Sequence, residues 1–117
     1  MTLPSEMTAI EIAGGRGGAD ALRPVIAPLP AVRAGEILIR VHAAGVNRPD
    51  IVQREGGYPP PPGAPTTLGL EVAGEVVTAA GRWRAGDRVC ALLGGGGYAQ
   101  YAAVDAQWLY RTPEGVS

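Results

Sequence analysis

The clearest pattern in the chain is an alternation. From Glu36 to Ala43, Ile37, Ile39, Val41 and Ala43 fall on one face and Leu38, Arg40 and His42 on the other. A period of two marks a strand with one face on a core and one toward water. Shorter apolar runs predict further strands at Met7–Ile12, Leu22–Ala27, Val72–Ala79, Asp87–Leu93, Ala99–Val104 and Leu109–Arg111. Turn residues separate them: the glycines of 14–18, Pro28 and Pro30, Gly81, Gly86-Asp87 and the run Gly94–Gly97. Six or seven short strands punctuated this way predict a mainly β domain, a small barrel or sandwich.

One stretch is helical. Asn47 stands where an N-cap belongs, Pro49 suits a first turn, and Asp50 suits the positive end of the helix dipole. Gly56 and Gly57 stop the helix after Arg54. The segment Tyr58-Pro59-Pro60-Pro61-Pro62 must then run extended, because each proline fixes its own φ and restricts its predecessor.

Composition narrows the class. The chain has 117 residues, 46% hydrophobic and 18% charged, enough for one globular domain. Net charge is −1 and basic residues are not clustered, which argues against a nucleic-acid partner. No apolar run approaches the roughly 20 residues of a membrane helix, and the first residues lack a signal-peptide pattern. A cytoplasmic protein is expected. One cysteine, Cys90, excludes an internal disulfide, and with one histidine it is too little for a Cys/His metal site.

Chemistry concentrates between Gly45 and Gly74. Asn47 and Asp50 have the spacing of a capping pair, and the Asn47 amide is also placed to meet a ligand. Tyr58 follows two glycines; it either packs on the proline lip or offers its hydroxyl, of ordinary pKa about 10, to a carbonyl oxygen. Pro60 and its neighbours form a stiff wall. Glu71, inside an apolar segment, is expected partly buried and bracing a loop, with acid–base catalysis as the alternative. His42 is expected exposed and Cys90 a small buried hydrophobe. Gly94–Gly97 lacks a following helix, so a close-approach turn is expected there rather than a phosphate loop.

Several motifs in one register resemble a known family. They are Val41-His42-Ala43-Ala44-Gly45-Val46-Asn47-Arg48-Pro49-Asp50, the continuation to Gly56-Gly57-Tyr58, Leu68-Gly69-Leu70-Glu71, Ala91-Leu92-Leu93 and Gly95-Gly96-Gly97-Tyr98-Ala99-Gln100-Tyr101. Together they look like quinone oxidoreductases of the medium-chain dehydrogenase/reductase superfamily, nearest the p53-inducible branch. The likeness spans Met7 to Ser117, with residues 1–6 as an extension.

The resemblance implies a GroES-like, partly open β-barrel with one or two short helices over residues 7–117. It implies that a cofactor-binding Rossmann domain, which this chain lacks, would follow. It implies NADPH as cofactor, a quinone or other small electrophile as substrate, and a homodimer for the complete enzyme. Zinc-dependent relatives carry cysteine where this chain has Asn47 and histidine where it has Leu70, so a zinc-free reaction is implied. By the same likeness Asn47 and Asp50 belong to the cofactor end, Tyr58 is the catalytic residue, and Tyr58, Pro60 and Leu93 line the substrate cleft. The isolated fragment is expected to be inactive. The alternatives are a zinc-free enoyl or alkenal reductase of the same fold, and a non-catalytic GroES-like binding module.

Overall fold

The computed structural model describes residues 3–116. Strands β1 (Glu6–Ile12) and β2 (Leu22–Pro28) form a hairpin. The other strands, β3 (Glu36–Ala44), β4 (Glu71–Val76), β5 (Arg88–Leu92), β6 (Tyr101–Asp105) and β7 (Leu109–Arg111), form one antiparallel sheet in the order β6-β3-β4-β5-β7. The sheet curls into a half-barrel, and β1 leans on it through an isolated Ala9–Ala99 bridge. Among the described residues the single α-helix, α1 (Arg48–Arg54), lies between β3 and β4 in the chain. The domain is mainly β, as the strand count predicts. Glu6, placed in an extension by sequence, is the first residue of β1; Met1 and Thr2 lie outside the described residues.

The core lies inside the curl. Ile37 and Ile39 of β3, Val72 and Val76 of β4, Val89 and Ala91 of β5, Val104 of β6 and Leu109 of β7 pack there with Trp83. Ile39 is wholly buried because it pairs with Val76 on one side and Ala102 on the other. Burying such a side chain stabilises the fold by about 1.5–3 kcal/mol.

Two departures from simple alternation occur in β3. Leu38, on the face expected to meet water, is only 4% exposed. Both faces of this half of the strand are therefore covered, and alternation marks only one of them. Further on, the pairing of Val41 with Gly74 is followed by that of Ala43 with Ala73, leaving His42 as an inserted bulge residue. An extra residue reverses the facing of everything after it. Ala44, not Ala43, packs on the core, and Ala43 is exposed. His42 is exposed as expected, its Nε2 3.6 Å from Glu75 Oε1, which also accepts from Arg40 at 2.8 Å. Cys90 is half-buried rather than buried, its Sγ 3.5 Å from Thr112 Oγ1.

Candidate active site

The bulge at His42 turns the end of β3 outward into Gly45-Val46-Asn47. Gly45 is held by its N–H, which donates to the carbonyl of Glu71 at 3.0 Å. A side chain at position 45 would meet the Glu71 carboxylate and displace it from its contact with Asn47. Asn47 then takes the N-cap position of α1 with extended backbone, φ −123° and ψ 159°.

Three contacts fix Asn47. Its backbone N–H donates to Asp50 Oδ2 at 2.9 Å. Its carbonyl accepts from the Asp50 N–H at 3.0 Å, closing the first turn. Its Nδ2 donates to Glu71 Oε1 at 3.2 Å. Glu71 is exposed, not partly buried as expected, yet it braces the loop in the way the sequence suggests.

Asp50 is the buried member, 2% exposed. Its Oδ2 also accepts from the Tyr98 hydroxyl at 2.9 Å, while Oδ1 is buried with no partner among the described residues. Burial, and then the hydrogen bond and charge of Asp50, push the Tyr98 hydroxyl up to about 12. Tyr98 therefore stays a donor throughout the neutral range. One turn further along α1, Gln53 is also buried, and its Nε2 donates to the Thr66 carbonyl at 3.2 Å. Sequence reasoning alone singles out neither Tyr98 nor Gln53. The only signal for Tyr98 is an aromatic directly after a glycine run.

The Gly94–Gly97 run is packed against the 63–70 loop. Gly96 N–H donates to Thr67, Gly97 to Gly69 and Tyr98 to Leu68, at 2.8–3.0 Å. Gly69 makes this possible: a Cβ there, at φ +109°, would come within 2.6 Å of Gly97 Cα. The run is the close-approach turn the sequence suggests. The N–H groups of Gly96 and Gly97 are spent on backbone carbonyls, and a strand rather than a helix follows the run, so it lacks the helix N-terminus that holds a phosphate.

The predicted cleft residues are not brought together in one pocket, and Leu93 packs against the core. Tyr58 is 37% exposed, just beyond the Gly56-Gly57 stop of α1. Pro60 and Leu93 are half-buried, and the proline lip reaches Gly94 through Pro61 and Ala64. A cavity of about 420 Å³ lies elsewhere, between the β1–β2 hairpin and the outer side of the glycine zip, with Met7, Ala9, Pro30, Pro65 and Ala103 in its wall. None of Asn47, Asp50, Tyr58, Pro60 or Leu93 lines it. A second cavity of similar volume beside Trp83 does not include them either.

Residues 33–114 match the alcohol dehydrogenase GroES-like domain. The chain belongs to this family. Its relatives align over nearly the whole of it. A spinach chloroplastic quinone-oxidoreductase homolog is 37% identical over 95% of this chain and 36% of its own length. The human synaptic vesicle membrane protein VAT-1 homolog-like is 34% identical over 96% of this chain and 27% of its own length, and its crystal structure superimposes with a TM-score of 0.84. A mycobacterial protein solved with NADPH is 33% identical, with a TM-score of 0.81 over 95% of this chain and 35% of its own. This GroES-like chain thus spans about a third of the length of such relatives. Among its described residues, no three His, Cys, Asp or Glu side chains stand together as metal ligands, and no helix is long and apolar enough to cross a membrane.

Proposed function

We propose that this GroES-like domain is the substrate-side part of a zinc-free, NADPH-dependent quinone oxidoreductase, active when joined to a cofactor-binding domain. The observation that carries the reading is Asn47. It sits at the loop's turn where zinc-dependent relatives hold a cysteine, and it is fixed there by Asp50 and Glu71. Quinone oxidoreductase relatives and the mycobacterial NADPH complex support the class of reaction and cofactor.

The residues fit only one end of the cofactor. An exposed amide braced on a carboxylate suits a carboxamide or a ribose hydroxyl, which both donate and accept. Gly96 and Gly97 are engaged elsewhere and no helix follows the run, so the pyrophosphate is assigned to the cofactor-binding domain of the proposed enzyme. When bound, NADPH supplies the hydride. This chain's own residues orient and polarise. Asn47 orients the nicotinamide-ribose end. The Tyr58 hydroxyl donates to the quinone oxygen as negative charge builds there, an effect worth about 2.7–4 kcal/mol for one well-placed donor. Pro60 and Leu93 form apolar walls for a flat ring.

The test is Tyr58→Phe in the longest protein the gene encodes. The expected result is a fall in kcat of about a hundredfold with an ortho-quinone. Unchanged turnover would remove Tyr58 from the mechanism. An alkenal preferred over every quinone in a substrate panel would favour the enoyl reductase reading instead.

A further inference from the structure

Asp50 is buried, yet it has few partners. Of its two oxygens, Oδ1 has none among the described residues, and Oδ2 has the Asn47 N–H and the Tyr98 hydroxyl. A buried carboxylate with so few donors depends strongly on each one. Tyr98 supplies one of the two, and its backbone is anchored independently of that hydroxyl. Its N–H donates to Leu68 at 2.9 Å, and its carbonyl accepts from the Ile10 N–H at 2.9 Å. The phenol is thus a side arm reaching from a fixed backbone to the start of α1.

We propose that Tyr98 is a positioning residue for Asn47, acting through the buried carboxylate of Asp50. The Tyr98 hydroxyl holds the carboxylate in place, and the carboxylate holds the Asn47 backbone. Asn47 then presents its amide at one fixed height above the cleft. Without the hydroxyl, Asp50 keeps one donor and swings toward water, and the first turn of α1 loosens with it. This inference rests on the assignment of Asn47 to the cofactor end; its structural half does not.

Tyr98→Phe removes one oxygen and leaves the backbone zip in place. The first measurement is amide hydrogen exchange on the 117-residue chain. The Asn47 amide is expected to exchange about tenfold faster, the effect of losing one charge-assisted hydrogen bond, while the amide of core residue Ile39 is unchanged. Equal acceleration at both, or none at Asn47, overturns the proposal. If Tyr98→Phe does not fold, Asp50→Asn weakens the same acceptor at constant volume and must give the same local acceleration, or the proposal fails. The second measurement is a kinetic cycle in the longest protein encoded. Tyr98→Phe is expected to raise KM for NADPH, and the double variant with Asn47→Ala to be no worse than Asn47→Ala alone. Losses that simply add overturn the proposal. Asn47→Ala kinetics identical to those of the unaltered protein overturn instead the assignment of Asn47, and the exchange result alone then decides the link from Tyr98.

Discussion

Asn47 Nδ2 donates to Glu71 Oε1 at 3.2 Å, joining the loop after β3 to the first residue of β4. A carboxylate only accepts, so Glu71 decides which end of the Asn47 amide faces it. The other end, the carbonyl oxygen, is directed away from Glu71.

Glu71 therefore governs orientation more than stability. Because it is exposed, Glu71→Leu is expected to cost less than about 1 kcal/mol in urea denaturation. On the proposed assignment of Asn47 to the cofactor end, the same change in the longest protein the gene encodes is expected to lower kcat/KM for NADPH by about tenfold, the equivalent of one hydrogen bond. Glu71→Gln keeps a carbonyl acceptor and is expected to recover most of that loss. Equal losses in the two variants would mean that Glu71 does not act by orienting Asn47.

Tyr98 predicts an alkaline signature. Its hydroxyl is pushed up to about 12, first by burial and then by Asp50. In the unfolded chain it titrates near the ordinary value of about 10. Between these values the folded state binds more protons than the unfolded one, so stability falls as pH rises. The contribution is fully present below about pH 10 and is lost through about pH 12. Tyrosinate absorbance is expected to show a late-titrating phase that Tyr98→Phe removes, and the variant's denaturation midpoint is expected to decline less over that window.

Much of this is legible in the sequence because it is local. Alternation and turn residues give strands, and Asn47-x-x-Asp50 gives the start of α1. What is not legible depends on contacts between distant segments. Tyr98 and Asp50 are 48 positions apart, and nothing near either residue points to the other. Leu38 looks solvent-facing because periodicity cannot show that both faces of this part of the strand are buried. The His42 bulge exists only in the pairing with β4, so the switch from Ala43 to Ala44 at the core is invisible from one strand. Glu71 follows an apolar neighbour, which suggests partial burial, but it begins its strand on the outer face.

Gly69 tests whether the zip between the two loops carries the fold. A Cβ there would meet Gly97 Cα and Tyr98 N at 2.6 Å, both backbone atoms that cannot turn aside. The positive φ adds strain of its own. Gly69→Ala is expected to cost more than about 3 kcal/mol, or to prevent folding. Gly81 also has positive φ, but a Cβ there would meet nothing within 4 Å. Gly81→Ala is expected to cost only about 1 kcal/mol. Comparable denaturation midpoints for the two would place the strain in the backbone angle and not in the contact between loops.

The far side of the sheet carries apolar side chains in the open. Cys90 pairs with Tyr110, so Leu92, two residues on, shares that outer face, and Trp108 ends the 3-10 turn just before β7. Leu92, Trp108 and Tyr110 are each about half exposed or more. They adjoin β7, a three-residue strand at the end of the sheet order, where β5 is its single neighbour. Exposed apolar side chains beside an open edge favour association between chains. The 117-residue chain is therefore expected to self-associate as its concentration rises, seen as growing mass by light scattering. Tyr110→Lys places a charge on that face and next to that edge, which is how natural sheets discourage pairing. It is expected to shift the chain toward monomer with little loss of stability, because the side chain it replaces is exposed. A chain that stays monomeric at every concentration, or association that Tyr110→Lys leaves untouched, would show that this face does not drive it.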